Sequence, residues 1–292
     1  MSAAVYSSRK KLKTIVLTKD LTGQVGRTFL IENYPGMPKI SGPDLLKNYQ
    51  EQVLRFGAEI KDSKEVGNIK KVGGGFFEVT ADGTTLKSKT IIIATGREPK
   101  RLNAKGEEKF IGKGVSYCVT CDGPIFSGKT VAVVGGGNSG FYAAKELAAF
   151  CKKVYVLNSA ETPVADAVEQ EGLALTKKAE ILNDVIIREI KGDRFVNAII
   201  FENKNNAERT ELAVEGIFIE IGYLPVSDFI SGFVNLNDKG EIIINHKYCT
   251  TSIPGVFAAG DVTDTEYKQM VIAAGQGASA ALSAYKYLTR NK

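Results

Sequence analysis

The sequence predicts an α/β fold made of two Rossmann-like, dinucleotide-binding units, and three observations carry that reading. Short apolar runs alternate with helix-patterned stretches along the 292 residues. The strand-like TVAVV, Thr130 to Val134, enters the glycine turn GGGNSG, Gly135 to Gly140, and a helical pattern follows at once. That succession suits a phosphate site, because backbone N–H groups at a tight turn and a helix start can surround an anion. A second apolar strand ends in glycine and an acid at GVFAAGD, Gly255 to Asp261.

Taken in order, residues 2–11 read as a helix ending in basic residues, and Lys13 to Thr18 as a buried strand. TGQV reads as a loop, and the Pro-Gly of IENYPG makes that segment a turn. Pro43 to Phe56 is helical, opened by proline in the first-turn position that tolerates it. Short strands follow around GFFEVTA and TLKSKTIIIATG. The last of these, Ile91 to Gly96, is continuously apolar, as a central parallel strand is before it meets a ligand. Thr130 to Val134, a helix over Ser139 to Phe150 and a strand over Lys153 to Asn158 make a βαβ unit. Further strands are expected at VIIREI, VNAIIFEN, GIFIEIG and GEIIIN, and after GVFAAGDVTD an amphipathic helix at KQMVIAAGQGASAALSAYKYL.

The run SYCVTCDGPIF ends just before the TVAVV strand. Its C-x-x-C pair, Cys118 and Cys121, can close a redox disulfide, because two intervening residues bring the sulfurs within bonding reach on a tight turn. The Asp, Gly and Pro that follow argue for an exposed, reactive pair. A zinc site is disfavoured: Cys151 and Cys249 stand far apart, there is no second C-x-x-C, and the only histidine, His246, reads as a surface residue. No metal is expected. Cys151 and Cys249 read as buried thiols in helix or strand patterns. A redox pair beside a dinucleotide turn implies electron transfer from a nucleotide cofactor to a disulfide, and two nucleotide units imply a two-domain flavoprotein.

With 43% hydrophobic and 24% charged residues the chain is globular and long enough for two domains. No apolar run is long enough to span a bilayer, and the helix-like N-terminus lacks signal-peptide architecture, so no membrane association is expected. Four cysteines with one redox pair fit a reducing compartment, with the cytoplasm as the default. The net charge of +5 is mild. Its basic runs read as solvated faces and not as a nucleic-acid footprint, although they could attract an acidic protein partner.

GQV at Gly23 to Val25, IENYPG at Ile31 to Gly36, IIIATG at Ile91 to Gly96, YCVTCDG at Tyr117 to Gly123, GGGNSG and GVFAAGD together resemble the low-molecular-weight thioredoxin reductase family, from Ser2 to the C-terminus. CDGPIF, GGGNSG and YKQMVIAAGQGA also resemble the flavoprotein component of bacterial alkyl hydroperoxide reductase, which carries an additional N-terminal region. The resemblance implies FAD, a homodimer and an acceptor disulfide on thioredoxin or a thioredoxin-like protein. It implies a discontinuous FAD-binding domain, residues 1–98 and 227–292, with an inserted NAD(P)-type domain over 99–226 that carries the redox pair. Cys121 would face the flavin and Cys118 would attack the substrate disulfide, with Asp122 as the proton donor. FAD would be contacted by Gln24, Asn33, Thr95, Gly96, Gly260 and Asp261, the last on the ribityl chain, and by Lys268, Gln269, Met270 and Val271. Gly135, Gly137, Asn138, Ser139 and Gly140 would hold the second nucleotide.

The sequence departs from the family pattern at two places. The first strand and glycine turn of a FAD-binding unit are missing before Met1, so the flavin domain is N-terminally incomplete here, and a start placed at an internal methionine is expected. Relatives that use NADPH carry a basic cluster after the strand following the glycine turn, whereas Asn158, Ser159 and Ala160 are neutral, Glu161 is acidic and the next basic residue in sequence is Lys177. NADPH is therefore disfavoured, leaving NADH or, as in some relatives without these motifs, reduced ferredoxin. The main reading is a thioredoxin-disulfide reductase. The alternatives are a peroxiredoxin-reducing component, a ferredoxin-linked reductase and a non-catalytic, flavoprotein-like module.

Overall fold

The computed structural model describes residues 1–28 and 31–290. These divide into two compact units, one comprising Met1–Gly26, Tyr34–Glu98 and Leu224–Lys292, the other Arg27–Asn33 and Pro99–Tyr223.

The first unit pairs short parallel strands, Ile15–Leu17 with Glu59–Lys61 and Ile91–Ile93 with Val256–Ala258. A three-stranded antiparallel sheet, Val66–Val72, Phe76–Ala81 and Thr84–Ser88, belongs to the same unit. Its core gathers Phe77, Ile93, Ile242, Val256, Phe257 and Val262 against Ala280 and Ala284 of the long helix Met270–Arg290. The small residues let that helix approach the strands closely. A separate cluster of Ala4, Val5, Val53 and Ala58 seats the helix Ser2–Arg9. The helix Gly42–Arg55 starts where the Ser41 hydroxyl accepts the Asp44 N–H (3.2 Å), with proline in the first turn.

The second unit is a five-stranded, wholly parallel sheet in the order Ala179–Leu182, Lys153–Leu157, Thr130–Val134, Gly216–Ile219, Val115–Ser116. Its central strands are buried along nearly their whole length, as parallel strands covered on both faces must be. The helix Asn138–Ala148 crosses from Thr130–Val134 to Lys153–Leu157 and buries Phe141, Ala144 and Leu147. An antiparallel sheet of Val185–Gly192, Val196–Asn203 and Arg209–Ala213 completes the unit. No helix among the described residues is long and apolar enough to cross a membrane.

Three sequence expectations are corrected. TGQV is not a loop: the helix Gly23–Arg27 begins there, admitted by Gly23 at φ +49°. GEIIIN is not a sheet strand. Ile242 and Ile244 are buried and Ile243 is exposed, the alternation of a strand, but its partners Leu236, Thr263 and Thr250 cross at single bridges and no ladder forms. Cys151 and Cys249, placed in regular elements by their apolar neighbours, both lie outside them, Cys151 in a bend after the helix Asn138–Ala148 and Cys249 in a turn at φ +55°. The helix Ala167–Leu175 and the polar strand Arg209–Ala213 had no clear apolar period and were not anticipated.

Candidate active site

The strand Val115–Ser116 ends the parallel sheet and delivers the chain into a short helix, Val119–Asp122, capped by Cys118 in an extended conformation. Cys118 and Cys121 form a disulfide with Cα atoms 5.3 Å apart, and Cys151 and Cys249 are free and buried. The pair is half-buried, not exposed as the neighbouring polar residues suggested, because the turn packs through Val119 and Phe126 into the core of this unit.

Asp122 follows directly. Its N–H donates to the Cys118 carbonyl (3.1 Å), and its Oδ2 accepts from the Ser116 hydroxyl (2.5 Å). Oδ1 is buried with no hydrogen-bond partner. Burial pushes the Asp122 carboxyl above its ordinary range, and the Ser116 bond only partly opposes this. Beside the motif, the Tyr117 hydroxyl donates to the buried Glu107 (2.6 Å) and accepts from Arg101 (2.8 Å), and the Tyr117 carbonyl accepts from the Tyr223 hydroxyl. The redox turn is thus held from several sides, beside a carboxyl whose burial favours its protonated form.

At the glycine turn, Gly135 has φ +143°, and a side chain there would strike the Glu220 carbonyl. Gly136 leaves room for Asn158, whose Oδ1 would lie 2.0 Å from an added Cβ. Asn158 is buried and bonds Ala160 and Asn183, so it supports the strand end and is not directed at a ligand. Asn138 and Asp166 bond reciprocally (2.9 and 2.7 Å), while the Gly136 carbonyl accepts the N–H groups of Val164 and Ala165. Segment 159–166 therefore folds over the turn. Ser139 is exposed at the start of the following helix. Lys177 is not the basic residue that matters at the strand end, because the fold brings Lys204 from a hairpin 45 positions away to the Ser159 carbonyl.

In the first unit, Asp261 pairs with Arg97 (3.3 Å), and the Arg97 carbonyl accepts from the Gln24 side chain (2.5 Å). Thr95 is tied to the Val226 carbonyl (2.6 Å), and the Gly260 N–H donates to Gln276 (2.7 Å). Lys268 donates to Glu241 (2.8 Å) and to the Thr263 carbonyl (2.5 Å). Gln269 precedes Met270 and Val271, which open the long helix. Asn33 falls in the other unit.

Residues 1–277 match the pyridine nucleotide-disulphide oxidoreductase family. The chain belongs to that family. Among solved members, thioredoxin reductase from Streptococcus pyogenes MGAS5005 superposes with a TM-score of 0.94 at 34% identity, covering 99% of this chain and 94% of that one. Thioredoxin reductase from Giardia duodenalis gives 0.90 at the same identity and coverage. The F component of alkyl hydroperoxide reductase from Escherichia coli K12 is 40% identical over 295 residues, all of this chain and 56% of that protein. A protein called NADH dehydrogenase from Bacillus subtilis strain 168 is 40% identical over 99% of this chain and 57% of its own length. The chain spans little more than half of these curated relatives. The chain has the thioredoxin reductase fold.

The family implies FAD, and the first unit is chemically suited to it. Burial raises the Asp261 carboxyl against the pull of Arg97 and Lys268, so it gains by accepting hydrogen bonds from a polyol. The start of the Met270–Arg290 helix presents a positive dipole end suited to an electron-accepting ring. Arg97, Gln276, Ser116 and Lys204 were not read as site residues from the sequence. Arg97 could have been suspected from following ATG directly, but the other three are identified only by what they contact.

Proposed function

We propose that the protein is an FAD-dependent protein-disulfide reductase, passing two electrons from a reduced donor through FAD and the Cys118–Cys121 pair to a disulfide on thioredoxin or a thioredoxin-like protein. The observation that carries this is the Cys118–Cys121 disulfide followed directly by Asp122, whose carboxyl is buried at Oδ1, in a unit built around a dinucleotide turn. On this reading the first unit is the FAD-binding domain, held to the cofactor by Asp261, the backbone of Gln269 to Val271, and the Gln24 and Thr95 segments. The second is the NAD(P)-type domain, with Gly135, Gly137, Asn138, Ser139 and Gly140 at the pyrophosphate. FAD supplies the relay between an electron donor and a disulfide. By the family pattern Cys121 receives those electrons and Cys118 meets the substrate. Asp122, whose burial favours the protonated form, gives a proton to the thiolate that leaves.

For the donor, NADH is favoured over NADPH. Glu161 and Asp166 bring negative charge to the loop after the 153–157 strand, and Lys204, which reaches it, is engaged with a backbone carbonyl. The name of the Bacillus subtilis relative agrees with NADH. The identity to alkyl hydroperoxide reductase components supports a second acceptor, a peroxiredoxin disulfide. The decisive experiment is anaerobic flavin reduction with NADH, NADPH and reduced ferredoxin in parallel, followed by transfer to oxidised thioredoxin or to a peroxiredoxin with peroxide. A purified protein that binds no FAD, or passes no electrons to either acceptor, overturns the proposal.

A further inference from the structure

We infer that Ser116 is the positioning residue for the acid step: its hydroxyl holds Asp122 Oδ2 so that Oδ1 carries the proton given to the departing thiolate. The inference rests on the disulfide-reductase reading above. Ser116 lies at the end of a sheet strand, in register with Phe218 of the neighbouring strand, while Asp122 ends a helix of one turn. The sheet therefore aims the acid.

The hydrogen bonds determine which oxygen bears the proton. The Ser116 hydroxyl has one hydrogen, and its contact with Asp122 Oδ2 (2.5 Å) is much shorter than its contact with the Cys118 carbonyl (3.3 Å). Oδ2 is then an acceptor, and the carboxyl proton sits on Oδ1, which has no partner of its own. The same Ser116 oxygen accepts the Cys118 N–H (3.1 Å), so the orientation of the acid is coupled to the attacking cysteine. The neighbouring ionisable groups are engaged elsewhere. Glu146, on the helix packed against this turn, reaches Thr120 (3.4 Å), and Glu107 is taken up by Tyr117 and the Leu102 N–H, with Arg101 on the Tyr117 hydroxyl. Burial raises the Asp122 carboxyl, and Ser116 is the group that pulls it down.

In the step itself, the Cys118 thiolate attacks one sulfur of the acceptor disulfide. A Cys118–acceptor bond forms, the acceptor S–S bond breaks, and the leaving thiolate takes the Oδ1 proton. The Asp122 carboxylate then removes the Cys121 proton, and the Cys121 thiolate attacks Cys118. This closes the Cys118–Cys121 disulfide and releases the second acceptor sulfur as a thiolate. Two electrons have passed from the cysteine pair to the acceptor.

The test uses FAD-loaded protein reduced with dithionite, mixed with oxidised thioredoxin over a range of pH. Ser116→Ala should move the alkaline limb of the second-order rate constant up by about 1 pH unit, because the lost bond favoured the carboxylate. It should also lower the constant at neutral pH by about tenfold, as the acid loses its aim. Ser116→Thr should retain both properties, and Ser116→Val, matched to Thr in shape, should behave like Ser116→Ala, which keeps the comparison available if the alanine variant does not fold. In an Asp122→Asn background Ser116→Ala should change nothing further. With 5,5′-dithiobis(2-nitrobenzoate), whose thiolate leaves without a proton, the Ser116 effect should vanish. Unmoved alkaline limbs in Ser116→Ala and Ser116→Val, with wild type active, overturn the inference alone. Inactivity of the wild type towards both disulfides overturns the functional reading beneath it.

Discussion

Gly136→Ala is expected to disturb the nucleotide turn through one side chain. The new Cβ would stand 2.0 Å from Asn158 Oδ1 and 2.4 Å from its Cγ, so the Asn158 side chain must leave its place. Asn158 is 3% exposed and makes three hydrogen bonds there: from Nδ2 to the Ala160 carbonyl and to Asn183 Oδ1, both 2.9 Å, and from the Ala160 N–H to Oδ1, 3.3 Å. At about 0.5–1.5 kcal/mol each, their loss amounts to about 1.5–4.5 kcal/mol. For a urea slope of about 2–3 kcal/mol/M that is a midpoint lower by roughly 1 M. The assay is urea unfolding of four proteins: wild type, Gly136→Ala, Asn158→Ala and the double variant. Since Asn158→Ala forfeits the same bonds and removes the clash, the double variant should be no less stable than Asn158→Ala alone. A Gly136→Ala midpoint within about 0.2 M of wild type, or strictly additive losses in the double variant, would refute the reasoning.

Cys118→Ser and Cys121→Ser should each abolish reduction of a protein disulfide while flavin in the same protein still accepts electrons from the donor, read by stopped-flow absorbance; turnover at the wild-type rate in either variant contradicts the assignment. Asp122→Asn should remove the alkaline limb of the thioredoxin reaction. Because the folded carboxyl is raised, its ionisation opposes folding above that raised value and costs nothing below the ordinary carboxylate range, so Asp122→Asn should stabilise the protein at neutral pH and have no such effect in acid, checked by melting across pH. Asp261→Ala should lower FAD retention on gel filtration, since it deletes the half-buried acceptor beside Arg97; full FAD content would count against its role. NADPH should reduce the flavin more slowly than NADH, and Lys204→Ala should slow NADPH further while Glu161→Gln speeds it; faster reduction by NADPH than by NADH in wild type is the contrary result.

The features legible in the sequence are those written within a few residues. Two residues between Cys118 and Cys121 fix the sulfur separation, so the disulfide follows from spacing and local backbone alone. GGGNSG after TVAVV is equally local, since the turn and the helix start are set by its own glycines and by the polar residues that follow. Pairs made across the chain were not legible. Arg97 meets Asp261, Gln276 caps Gly260 and Lys204 reaches Ser159 only once the sheet orders are chosen, because nothing in either partner's neighbourhood specifies the other. GEIIIN has the alternation of a strand, yet the loops beside it cross at single bridges, and a strand needs a neighbour as well as a pattern. The half-burial of the redox pair is of the same kind: the polar residues after Cys121 pointed outward, but core packing by Val119 and Phe126 drew the turn in. Local geometry thus decided what chemistry the chain carries, and long-range chain closure decided which groups aim it, because a side chain's partners depend on the strands that bring them together.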